Sequence, residues 1–145
     1  MTRAVAAAML AALTIAIGCS DKPTSPDTTS STTTTSSLSV VFEGVLTMKG
    51  SAFYSFTATQ TGSVSATLAS LVLVGHRDAF TAPVRIGVGT PKGEGCALTQ
   101  SMDAAPALVT QLTAPLTATG IYCVSITDVG ALTGDALFSI RFSHP

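Results

Sequence analysis

Phe138-Ser139-Ile140-Arg141-Phe142-Ser143 alternates apolar and polar side chains without a break. A period of two puts every second side chain on one face of an extended chain, so the stretch predicts a strand with one buried face. The pattern recurs upstream. Val64, Ala66 and Leu68 alternate with Ser63, Ser65 and Thr67, and Val84, Ile86 and Val88 with Arg85, Gly87 and Gly89. Tyr122, Val124 and Ile126 form another inward face, and Ala52, Tyr54 and Phe56 one more. From Leu38 onward no stretch keeps a helical period. Strands are predicted near 39–47, 52–58, 62–74, 84–90, 95–100, 107–113, 119–127 and 135–143. Their separators are turn formers: Lys49-Gly50, Thr61-Gly62, Thr90-Pro91-Lys92-Gly93, Ala105-Pro106, Thr119-Gly120 and Thr133-Gly134-Asp135. Short strands at this spacing read as an all-β, antiparallel sandwich of about eight strands.

The chain before Leu38 is of another kind. Met1-Thr2-Arg3 is a short positive segment, and Ala4 to Gly18 is apolar, uncharged and ends in small residues, the pattern of a secretory signal. A permanent span needs about 20 apolar residues, and Ser20-Asp21-Lys22-Pro23 ends this one too soon. Ala16-Ile17-Gly18-Cys19 resembles the bacterial lipobox, with Ala16 where Leu is commonest. The resemblance implies that the Cys19 thiol becomes a diacylglycerol thioether, that cleavage makes Cys19 the new N-terminus, and that acyl chains such as palmitate hold it in a membrane. Several chains matter, because one binds only marginally while each buried CH₂ adds about 0.8 kcal/mol. Ser20 after the lipidated position implies, by analogy with Gram-negative sorting, the outer membrane, on its periplasmic or surface face.

From Ser20 to Ser37 the composition is Ser, Thr, Pro and Asp, apart from Lys22, with no apolar period, which predicts a disordered tether, or on the same composition an O-glycosylated stalk. The expected organisation is therefore a signal peptide over 1–18, a lipidated cysteine and tether over 19–37, and one domain over 38–145.

Charge narrows the function. The formal net charge is -1, and Lys49, Arg77, Arg85, Lys92 and Arg141 are scattered, so no phosphate-binding surface and no nucleic-acid partner is expected. Only 10% of residues are charged, and Ser and Thr take the exposed positions instead. The absence of Trp argues against a sugar-stacking platform, and the absence of Asn removes the N-glycosylation acceptor.

Ser51-Ala52-Phe53-Tyr54-Ser55-Phe56-Thr57, Thr61-Gly62-Ser63-Val64-Ser65-Ala66-Thr67-Leu68, Gly120-Ile121-Tyr122-Cys123-Val124-Ser125-Ile126 and the closing Ala136 to Phe142 together resemble the bacterial pre-peptidase C-terminal (PPC) domain. That family shows an aromatic Y-x-F strand, a G-x-hydrophobic-x-hydrophobic strand, a G-x-Y-x-V-x-V strand and a last aromatic strand. The resemblance implies a jelly-roll-like β-sandwich acting as a non-catalytic module, in some members binding calcium or a substrate polymer. Ser51 stands where an acidic residue often precedes the aromatic strand, so calcium binding does not carry over.

Cys96 and Cys123 are expected to pair in an exported domain, closing a loop that contributes about 3–4 kcal/mol. Neither has a second thiol or a His beside it, which leaves no metal site. His76, Arg77 and Asp78 sit in the longest irregular connection, Gly75 to Pro83, and are the candidate binding loop. A hydrolase built on His76 would need a nucleophile elbow, and no Gly-x-Ser-x-Gly is present. Gly87-Val88-Gly89-Thr90-Pro91-Lys92-Gly93 lacks the Gly-Lys-Ser/Thr ending of a phosphate loop and reads as a hairpin turn. Glu94, Asp103, Asp128 and Asp135 lie near turns without EF-hand spacing. Tyr54, Phe56, Tyr122, Phe138 and Phe142 read as core. The expected function is a lipid-anchored, non-catalytic envelope module without cofactor or metal, meeting an envelope protein or polysaccharide. The alternatives are a passive structural component of the envelope and a hydrolase.

Overall fold

The computed structural model describes residues 36–145; the predicted signal peptide, Cys19 and all but the end of the tether lie outside the described residues. In chain order the strands are β1 (Leu38–Leu46), β2 (Ser51–Ala58), β3 (Gly62–Leu73), β4 (Val84–Lys92), β5 (Gly95–Ala104), β6 (Leu112–Leu116), β7 (Gly120–Thr127) and β8 (Ala136–His144). They form two four-stranded sheets, ordered β1-β8-β3-β6 and β2-β7-β4-β5, with every strand pair antiparallel. Only the β4–β5 hairpin joins neighbours in one sheet; every other connection crosses to the opposite sheet. This is the winding of a jelly-roll-like sandwich, the fold class expected.

The alternation explains why the strands lie as they do. In β8, Ala136, Phe138, Ile140, Phe142 and His144 are buried while Leu137 and Arg141 are exposed. A slip of one residue would turn all five into solvent, so the register with β1 on one side and β3 on the other is strongly specified. The largest fully buried side chains come from both sheets: Leu46, Val64, Leu68, Leu71 and Ile140 from one, Val84, Ile86, Val88, Val124 and Ile126 from the other. Aromatic rings bridge the sheets where β1 and β8 face β2. Phe56 lies 5.2 Å from Phe142 and Tyr54 is 5.8 Å from both Phe42 and Phe142, while within the first sheet Phe42 and Phe138 meet edge to face at 4.9 Å. His144 is buried against Phe56 at 4.5 Å, so the final strand is held to its end.

One predicted strand is misplaced. Ala107-Leu108-Val109 reads as strand, but the sixth strand begins at Leu112 and carries Pro115. β6 is an edge strand and pairs only with β3, where a missing N–H is tolerated. The 105–111 stretch is a loop tied to β3 partly through a side chain. Gln111 Oε1 accepts the Leu68 N–H at 2.7 Å, and the Gln111 amide donates to the Ala105 carbonyl.

Candidate functional site

The loop picked out by its polarity folds back onto β3. Gly75 adopts φ 84°, a value that favours glycine, and lets the His76 N–H donate to the Leu73 carbonyl at 3.0 Å. Phe80 then returns to the sheet, donating its N–H to Leu71 O at 2.7 Å, and its ring packs on the core. His76 and Arg77 are left standing beside the outer face of β1, β8 and β3. There they border an open groove of about 550 Å³. Asp78, the third residue of the expected cluster, is exposed but does not line it.

Strand register builds the groove floor. Val45 pairs with Leu137, which pairs with Val72, giving an apolar row across three strands. The next row is Glu43, Ser139 and Ser70. The surface is thus mostly apolar, with one carboxylate, one guanidinium and one imidazole at its rim. Among the described residues His76 makes no hydrogen bond to Ser70, Ser139 or Glu43, with which it shares the groove lining.

The remaining candidates have structural work. Cys96 and Cys123 form a disulfide with Cα atoms 6.0 Å apart. They belong to β5 and β7, which flank β4; strands two apart in a flat sheet would sit roughly 9.5 Å apart. The approach is made possible by the end of the β4–β5 hairpin bending over the outer face of β4 at a bulge between Val88 and Gly89. A Cβ at Gly89 would collide with the Ala97 carbonyl, and one at Gly87 would lie 2.7 Å from Leu98 Cδ1. Gly87 and Gly89, which superficially resembled a phosphate loop, are covered by Leu98 and the β5 backbone, and Gly93 serves the turn with φ 58°.

Asp128 is buried to 7% exposure, and its carboxylate binds two segments. Oδ2 accepts the Lys49 N–H at 2.8 Å, in the β1–β2 turn where Lys49 has φ 58°; Oδ1 accepts the N–H groups of Gly130 at 2.9 Å, Ala131 at 2.9 Å and Leu132 at 3.1 Å. Burial works to raise its pKa, but these four donors outweigh it and hold the carboxyl below its ordinary value. Asp135 supports the same turn, accepting the Met48 N–H at 3.2 Å. Asp103 is paired with Arg85 at 2.8 Å, and the hydrogen bond from that guanidinium lowers its pKa. Among the described residues no three His, Cys, Asp or Glu side chains converge on one point. Tyr122 closes the β6–β7 corner: its hydroxyl donates to the Ala118 carbonyl at 2.9 Å while its ring stacks on Phe56 at 6.1 Å.

No protein-family model matches the sequence, and no curated protein matches it. Among solved structures, the fold is similar to the crystal structure of Yersinia pseudotuberculosis-derived mitogen (YPM). The TM-score is 0.50 at 14% identity, over 74% of this chain and 86% of that one. At this identity the likeness is one of fold alone.

Proposed function

We propose that the chain is a lipid-anchored, non-catalytic module of the bacterial cell envelope, which meets an envelope protein or polysaccharide through its β-sandwich. The observation that carries the reading is the order of segments. An apolar leader ends in Ala16-Ile17-Gly18-Cys19, a Ser/Thr stretch follows, and a sandwich with its own core starts at Leu38. Acyl chains on Cys19 hold the protein at the membrane, and the stretch up to Ser37 spaces the domain from it. The Cys96–Cys123 disulfide fits an oxidising compartment outside the cytoplasm. The groove beside His76 and Arg77 is the partner surface. It offers an apolar strip for contact area and a mixed-charge rim for orientation.

The test is fractionation of cells making the wild-type chain or Cys19→Ser, with labelled palmitate supplied. The wild type incorporates label and sediments with the outer membrane; the variant does neither. Equal behaviour of the two proteins refutes the anchor. The binding half is tested by retention of envelope proteins and polysaccharide on the immobilised protein. Retention is expected to fall for His76→Ala with Arg77→Ala, and retention unaffected by both changes refutes the groove.

A further inference from the structure

The loop that carries the chain from β5 to β6 is pinned at its base and apolar at its tip. Ala107 donates its N–H to Leu68 O at 2.9 Å, and Gln111 donates to Ala66 O at 3.1 Å. With the Gln111 side chain on the Leu68 N–H at 2.7 Å, these bonds replace a neighbouring strand along the part of β3 that β6 does not cover. From that fixed base Leu108 stands 96% exposed and Val109 70%, the two highest values among the exposed large hydrophobic side chains. Two adjacent apolar side chains held in water on an anchored loop make a small exposed apolar patch of the kind that binding can cover.

The surroundings indicate by what. Arg141, from the outer face of β8, lines the same hollow as Leu108, together with Thr67, Ala69 and Ala107. Arg85–Asp103 is the only ion pair among the described residues, so the Arg141 guanidinium has no carboxylate partner among them. A hydrophobic tip beside an unpaired cation on a Ser/Thr face matches an acidic phospholipid interface, with its acyl boundary below and its phosphates above. The chain also enters the domain nearby. Ser39, the second residue of β1, lines one hollow with Thr67, Thr110 of the loop and Arg141.

We propose that Leu108 and Val109 dip into the surface of the bilayer that holds the acylated N-terminus, with Arg141 meeting a lipid phosphate. The inference rests on the lipid-anchor reading above. Two side chains alone would bind a membrane only weakly. A tether from Cys19 to Ser37 reaches at most about 60 Å, so it keeps the domain at high effective concentration beside the bilayer and makes a weak contact sufficient.

The chain contains no tryptophan, so Leu108→Trp in the full acylated protein is a reporter without background. The protein is reconstituted in phosphatidylethanolamine/phosphatidylglycerol vesicles, some carrying brominated acyl chains. Acylation is checked by mass, and membrane attachment by flotation. Emission of the Leu108→Trp protein is expected to shift to the blue and to be quenched by the brominated lipid. Adding Val109→Asp and Arg141→Ala is expected to abolish both effects. Val129→Trp, in the loop at the other end of the sandwich, is expected to keep the emission of an indole in water. A protein that floats while its Leu108→Trp emission is the same with and without vesicles overturns the loop contact and leaves the anchor standing. A blue shift that grows with protein concentration in the absence of lipid makes a second copy the occupant, and overturns the contact as well. A chain that neither carries acyl mass nor floats refutes the anchor and this inference with it.

Discussion

Replacing Asp128 by Ala removes one acceptor group from four backbone donors at once. Of the four, only the Leu132 N–H is held in a fully buried bond, and leaving it unpaired costs about 1–3 kcal/mol. The Lys49, Gly130 and Ala131 groups are partly exposed and can turn to water, at about 0.5 kcal/mol each. The sum is about 3.5 kcal/mol, or a fall in Tm of about 15 °C for a domain near 100 residues. Thermal unfolding followed by far-ultraviolet circular dichroism at neutral pH reads the difference. The pH dependence supplies a second check. The folded carboxyl titrates below its ordinary value, so its stabilisation is complete above the unfolded pKa of about 3.9 and is lost as pH falls through the folded pKa. The gap between wild type and Asp128→Ala therefore narrows in acid below about pH 4. A variant melting within 2 °C or so of wild type at neutral pH, or a gap that stays constant into acid, would show that the carboxylate does not hold the two loops.

Reducing the Cys96–Cys123 bond, whose sequence separation is 27, is expected to cost about 3.5 kcal/mol by loop entropy; melts with and without reductant measure it, and a loss below about 1 kcal/mol contradicts the entropic account. Gly89→Ala drives a methyl group into the Ala97 backbone and is expected to destabilise by more than about 3 kcal/mol and to leave titratable thiol at Cys96 and Cys123; full oxidation at wild-type stability would refute the close approach of β5. Tyr122→Phe loses the bond to Ala118 but keeps the ring stacking, so urea unfolding should show a loss of about 1 kcal/mol, and no change would make the corner bond idle.

The alternating stretches were the legible part of the sequence, because burial of one sheet face imposes a period of two on every strand that shares it. Phe138, Ile140 and Phe142 turn inward as expected; Gly50, Gly93, Gly134 and Asp135 fall between strands, while Gly62 and Gly120 open β3 and β7. The pairing of Cys96 with Cys123 was legible by counting, though not that it crosses over β4. Ala107-Leu108-Val109 misled, since apolar residues usually mark burial and here they are exposed; the cue that mattered was Gln111, whose side chain stands in for a strand. Gly87 and Gly89 showed that something approaches closely, but a strand folding over its neighbour leaves no local trace of its own. Asp128 was visible only as a carboxylate near a turn, because its donors are backbone groups, which any sequence supplies. In the candidate loop, polarity singled out three residues, and the fold brings His76 and Arg77, without Asp78, to the groove.

The intact mass of the native protein tests, in a single spectrum, the proposal that a lipid on one sulfur keeps an exported β-sandwich at a membrane. The expected mass is that of a chain starting at Cys19, heavier than its residues by a diacylglyceryl group and further acyl chains, and lighter by the two hydrogens lost on joining Cys96 to Cys123. A mass equal to the bare polypeptide, with residues 1–18 still attached or Cys19 unmodified, would contradict it.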